Sequence, residues 1–123
     1  MLKTLLIVGL GGGIGSVFRY LTSVWTQKLV QSAFPWATFI VNVLGCLIIG
    51  ILVGFFTKQQ IENSDLKLFF VTGFCGGFTT FSAFALENMK LFQTGNSLLA
   101  LLYIALSVIV GIFAVWTGIM IMK

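Results

Sequence analysis

At 123 residues the chain has room for one domain, and 59% of it is hydrophobic against 8% charged, with no histidine. Soluble domains carry about 25% charged residues, so this composition describes a membrane protein and excludes an enzyme working in the aqueous phase. The net charge of +4 comes from seven basic and three acidic residues; the basic ones stand singly at the ends of apolar runs, as headgroup anchors do, and nucleic acid is not an expected partner.

Residues 4–25, 35–56, 66–87 and 97–122 form runs with almost no charge, each about the 20 residues that a spanning helix needs. The expected architecture is therefore all-α, with residues 1–123 as a single four-helix transmembrane domain. Lys3 followed by an apolar run imitates a signal peptide. That run is rich in glycine, lacks a small-residue cleavage site and is followed by three more spans, so it reads as the first helix.

Within that helix Gly9/Gly13 and Gly11/Gly15 are small residues four apart, the spacing that brings helix backbones together. A nucleotide-binding GxGxxG loop fails here, because its third glycine would fall on Ile14 or Ser16. Arg19 is the one charge well inside a span. Such a charge is a functional candidate by default, although a snorkelling arginine near the Trp25 end is the competing reading.

Trp25 and Trp36 bracket the first loop as interfacial aromatics, and Pro35 suits the start of the second helix. In that helix Thr38 and Asn42 share a face one turn apart, and Gly45, Cys46, Gly50 and Gly54 continue as a small-residue surface. Asn42 brings an amide into hydrocarbon, where it either bonds a neighbouring helix or offers donors to something passing through. Cys46 and Cys75 fall at mid-span and read as small hydrophobes, since two lone cysteines make no metal motif.

The segment 57–65 is a polar connector, with Ser64 or Asp65 placed to cap the third helix. The third span holds Gly73, Gly76, Gly77, Thr79 and Thr80. Each glycine costs about 1 kcal/mol against alanine in a helix interior, so a break is expected here. Broken helices in membranes are tolerated where freed backbone faces protein or a wet cavity, and such breaks are common ion sites. A glycine–threonine patch for close packing is the plainer alternative. In the fourth helix Tyr103 and Ser107 lie four apart, with Gly111 a further turn along. Their hydroxyls either solvate an ion or bond a neighbouring helix.

Lys3, Lys58, Lys67 and Lys123 fall on one side of the membrane and Lys28 and Lys90 on the other. A clear lysine and arginine excess normally sets orientation. So small a bias allows insertion both ways and pairing of the two orientations as an antiparallel homodimer. Three functional classes remain: an ion channel, a small multidrug-type transporter, and a non-transporting membrane assembly protein. The multidrug class resembles a family with an acidic residue in its first helix, which is absent here.

The run Gly73-x-Cys75-Gly76-Gly77-Phe78-Thr79-Thr80-Phe81-Ser82-Ala83-Phe84 resembles the signature of the small fluoride channels, the CrcB/Fluc family. The glycine-rich start followed by Arg19-Tyr20, and Thr38-x-x-Val41-Asn42-x-x-Gly45, agree with it in order along the whole chain. The resemblance implies a fluoride channel in the plasma membrane of a microbe, built as an antiparallel dual-topology homodimer with two pores. It also implies a structural sodium ion on the two-fold axis, held by the backbone carbonyls of Gly76 and Thr79. By the same resemblance Asn42, Phe81 and Phe84 line the pore. Thr38, Thr80, Ser82, Tyr103 and Ser107 belong to its polar surroundings, and Gly111, where relatives can carry a hydroxyl, leaves the track either shorter or bridged by water.

Overall fold

The computed structural model describes residues 1–62 and 64–123, and four segments are long and apolar enough to span a membrane. Helix α1 is Leu2–Leu29 and α2 is Trp36–Lys58. The third span, Asp65–Gln93, is built from pieces. One α-turn, α3 (Asp65–Lys67), starts on Ser64, whose hydroxyl accepts from the Lys67 N–H at 3.0 Å. A π-helical stretch, Leu68–Cys75, follows and leads into α4 (Gly76–Phe78). Thr79 and Thr80 are extended, and α5 (Phe81–Gln93) resumes the helix. Helix α6 is Ser97–Ile121, entered through the left-handed turn at Gly95 (φ +83°).

The helices differ in extent from the sequence expectation. The first runs on to Leu29, beyond Trp25, and the third to Gln93, beyond Glu87. Within the stretch expected to break, Gly73, Gly76 and Gly77 remain helical, and the backbone opens only at Thr79 and Thr80. Close packing explains why. A Cβ on Gly77 would collide with the Gly12 carbonyl, and one on Gly73 would lie 2.9 Å from the Val8 carbonyl oxygen. The glycines serve the contact with α1, and this outweighs their low helix propensity.

Glycine closes both helix pairs. In α1 the contacts come from Gly11 and Gly15, which face the Phe69 and Phe74 carbonyls, whereas Gly9 and Gly13 meet nothing within 4 Å. Helix α2 packs on α6, where a Cβ on Gly50 would fall on the Val115 carbonyl and one on Gly118 would lie 2.6 Å from that of Leu47. The third span changes partner at its break. Its first half lies on α1, and α5 lies on α6 and α2.

A candidate ion pathway at the broken third helix

Two hydrogen bonds to one side chain hold the break. The Thr80 N–H donates to Asn42 Oδ1 at 2.8 Å, and Asn42 Nδ2 donates to the Thr80 carbonyl at 3.1 Å. Asn42 thus replaces, from α2, bonds that a continuous helix would make for itself. Of its amide's two donors and acceptor oxygen, one N–H is left for another partner. Thr80 also caps α5, its hydroxyl accepting from the Ala83 N–H at 3.2 Å and lying 3.3 Å from Ser82 Oγ. Thr79 turns its hydroxyl back to donate to the Cys75 carbonyl at 2.9 Å.

These bonds decide which carbonyls are released. In an α-helix the carbonyl of residue i accepts from the N–H of i+4. Thr80 N–H, the partner due to Gly76, is given to Asn42, and Ala83 N–H, the partner due to Thr79, is given to Thr80. The α-helical donors due to the Gly76 and Thr79 carbonyls are therefore engaged elsewhere. Gly76 is exposed, and a Cβ there would meet nothing within 4 Å.

A cavity of ≈ 600 Å³ runs along this face, and its lining includes Asn42, Gly76, Thr79, Phe81, Phe84 and Ser107. Phe81 is 79% exposed in the single chain. Its ring centroid lies 5.8 Å from that of Phe84, tilted by 46°, and Phe84 lies 4.9 Å from Tyr103. The Ser107 hydroxyl is buried and has no hydrogen-bond partner among the described residues.

A second, more polar cavity of ≈ 210 Å³ lies between α1, α2 and the break, lined by Ser16, Arg19, Tyr20, Ser23, Thr38 and Thr80 among others. Arg19 is half-buried, and its Nε is fully buried without a partner among the described residues. Thr80 lines both cavities. Arg19 thus lines a polar hollow between helices.

Glu87 is the residue that sequence reasoning missed. Thr38 Oγ1 donates to its Oε2 at 2.7 Å, and the Tyr103 hydroxyl donates to its Oε1 at 3.0 Å. Tyr103 is fully buried, so this carboxylate engages two of the hydroxyls expected to line a polar track. Its sequence signal is weak, because an acid near the end of an apolar run reads as an interfacial charge. Ser82, by contrast, is exposed, with its hydroxyl beside that of Thr80.

Residues 6–119 match the family described as CrcB-like protein, Camphor Resistance (CrcB). The chain is 52% identical over 122 residues to a protein of Flavobacterium psychrophilum named fluoride-specific ion channel FluC, covering 99% of this chain and 98% of that one. Proteins of the same name from Azobacteroides pseudotrichonymphae and Rhizobium etli are 51% and 45% identical, each covering 96% of this chain and 94% of their own.

Proposed function

The chain belongs to the CrcB-like family, and from that membership we propose that it is a fluoride channel through which the anion leaves a microbial cell passively. It is a multi-pass membrane protein and not an enzyme. The observation that carries the reading is the cavity joining Asn42, Phe81, Phe84 and Ser107 beside a helix break that Asn42 itself holds. The rim of an aromatic ring is electropositive, so phenylalanine edges offer an anion a path without a trapping charge. Asn42 adds a neutral N–H donor. Conduction needs binding favourable enough to admit the ion yet weak enough to release it, and a neutral lining suits that balance better than lysine.

The Arg19 cavity would gather the anion before the break, since its guanidinium is the fixed positive charge of a hollow otherwise lined by hydroxyl and apolar groups. Thr80 and Ser82 would exchange water for hydroxyl contacts as the ion passes, and Thr38 and Tyr103, whose hydroxyls donate to Glu87, would line the path and position that carboxylate. Two copies in opposite orientations would close the exposed Phe81 face and complete two pores. Sodium fits the released carbonyls of Gly76 and Thr79, because hard cations take oxygen ligands and half-helix ends supply them. Bound there between copies, it would neutralise carbonyl dipoles and fix the break.

Phe81→Ile tests the pathway. It keeps the side chain apolar but removes the ring edge, and fluoride efflux from reconstituted vesicles is expected to fall to the level of empty ones while the protein still assembles. Undiminished flux in that variant would place the path elsewhere.

A further inference from the structure

We propose that Phe34, in the loop between α1 and α2, is a positioning residue for the ion path: acting through Tyr103, it fixes the plane in which Phe84 presents its ring. The loop is shaped to deliver that side chain. A proline ring locks φ, and Pro35 (φ −79°, ψ 74°) makes an inverse γ-turn in which the Trp36 N–H donates to the Phe34 carbonyl at 2.8 Å. The Ser32 hydroxyl donates to the same carbonyl at 3.3 Å. The Phe34 ring is turned back onto the bundle, its centroid 4.6 Å from that of Trp36, 5.5 Å from Phe39 and 5.2 Å from Tyr103.

Tyr103 passes the constraint on. It is fully buried, and its hydroxyl donates to Glu87 Oε1 at 3.0 Å. A tyrosine oxygen lies on the axis about which the ring turns. That bond therefore fixes where the axis points and leaves the ring plane free, since the torsion itself has only a broad, two-fold preference. Neighbouring rings have to set the plane. Phe34 meets Tyr103 edge-on at 76°, and Phe84 meets it at 4.9 Å with the planes tilted by 59°. Phe34, Phe39, Phe84 and Leu99 all pack on the buried cluster of Leu91, Ala100 and Tyr103, and side chains packed to interior density do not turn independently. Phe81 is 79% exposed in the single chain, so Phe84 is the phenylalanine whose plane the chain itself determines.

The plane matters because an aromatic ring is electropositive at its edge and negative on its face. An anion is drawn to one presentation and repelled by the other. That Phe84 meets the ion rests on the proposed function, whereas the packing of Phe34, Tyr103 and Phe84 does not. Among the described residues Phe34 makes ring contacts with Trp36, Phe39 and Tyr103 and none with Phe84, so its influence on Phe84 travels through the tyrosine between them.

The test reads the ring and the flux separately, both in the full chain. Labelling Phe84 as 3-fluorophenylalanine puts a fluorine off the flip axis, so a ring held in plane gives two fluorine resonances and a freely flipping one gives their single average. The parent should show two lines. Phe34→Leu, which keeps the site apolar and removes the flat edge, should merge them; should it fail to fold, Phe34→Met takes its place with the same expectation. A single line in the parent, or two unchanged lines in the variant, overturns the proposal. In vesicles matched for assembled, unlabelled protein, Phe34→Leu should slow fluoride efflux by about 10-fold, the upper end of what one aromatic pair is worth. Phe34→Tyr, which keeps the ring, should run at the parental rate. Parental efflux in Phe34→Leu, or efflux in Phe34→Tyr as slow as in Phe34→Leu, overturns the role in the path. Merged lines in Phe34→Leu with no fluoride flux even in the parent would retain the ring coupling and remove the functional reading instead.

Discussion

The pair α2–α6 and the pair formed by α1 with the third span are closed by the same device, glycines set against carbonyls, yet one is unbroken and the other is not. In α2 and α6 the backbone satisfies itself, which leaves Thr38, Asn42 and Tyr103 to bond the third span. In the third span the backbone is opened at Thr79 and Thr80, and the side chain that repairs it, Asn42, comes from the unbroken pair. The contrast shows how a membrane protein can keep an irregular backbone. The freed groups are not left to lipid, where each would cost several kcal/mol, but are held by a neighbouring helix or turned to a cavity.

The comparison can be broken most severely at the glycine contacts. Gly77→Val should prevent α1 from closing on the third span, because even a Cβ there collides with the Gly12 backbone. Overpacking costs about 1–3 kcal/mol where neighbours can shift, and main chain on both sides leaves little room to shift. Loss of the monodisperse species in size-exclusion chromatography is expected. Gly9→Ala, which meets nothing within 4 Å, is the control and should elute as the parent does.

Asn42→Ala comes next. It unpairs the backbone N–H and carbonyl of Thr80, and an unsatisfied buried group costs about 1–3 kcal/mol. Thermal unfolding in detergent should fall accordingly, with fluoride flux lost in the fraction that still assembles. A parental melting temperature would mean that the break does not depend on α2.

The smallest effect sharpens the comparison. Thr80→Ala removes the cap of α5 and should cost about 1 kcal/mol, whereas Thr80→Ser keeps the hydroxyl and should melt near the parent. Equal losses in both would show that the threonine methyl, not the cap, matters there.

Much of this architecture is legible in the sequence because bilayer length and charge depletion leave few other ways to read it. The four spans follow from apolar runs, and the interruption of the third from its glycines and threonines. The position of the break is not legible. Propensity points to the glycines and threonines of 73–80 alike, but Gly73 and Gly77 pack against α1, a contact visible only once the helices are assembled. The π-helical stretch Leu68–Cys75 leaves no periodic signal either, being too short for its wider turn to show. Glu87 escapes for a related reason: its partners Thr38 and Tyr103 lie 49 and 16 residues away, on other helices. Asn42 was legible as a polar group needing partners, but not as the clamp on Thr80.

Efflux from liposomes containing this chain alone, loaded with potassium fluoride or potassium chloride and shunted by valinomycin, tests the proposed channel most directly. Rapid loss of fluoride with retention of chloride is the predicted result. Retention of fluoride by vesicles carrying the folded protein, or equal loss of both anions, would contradict a selective fluoride path formed by this polypeptide.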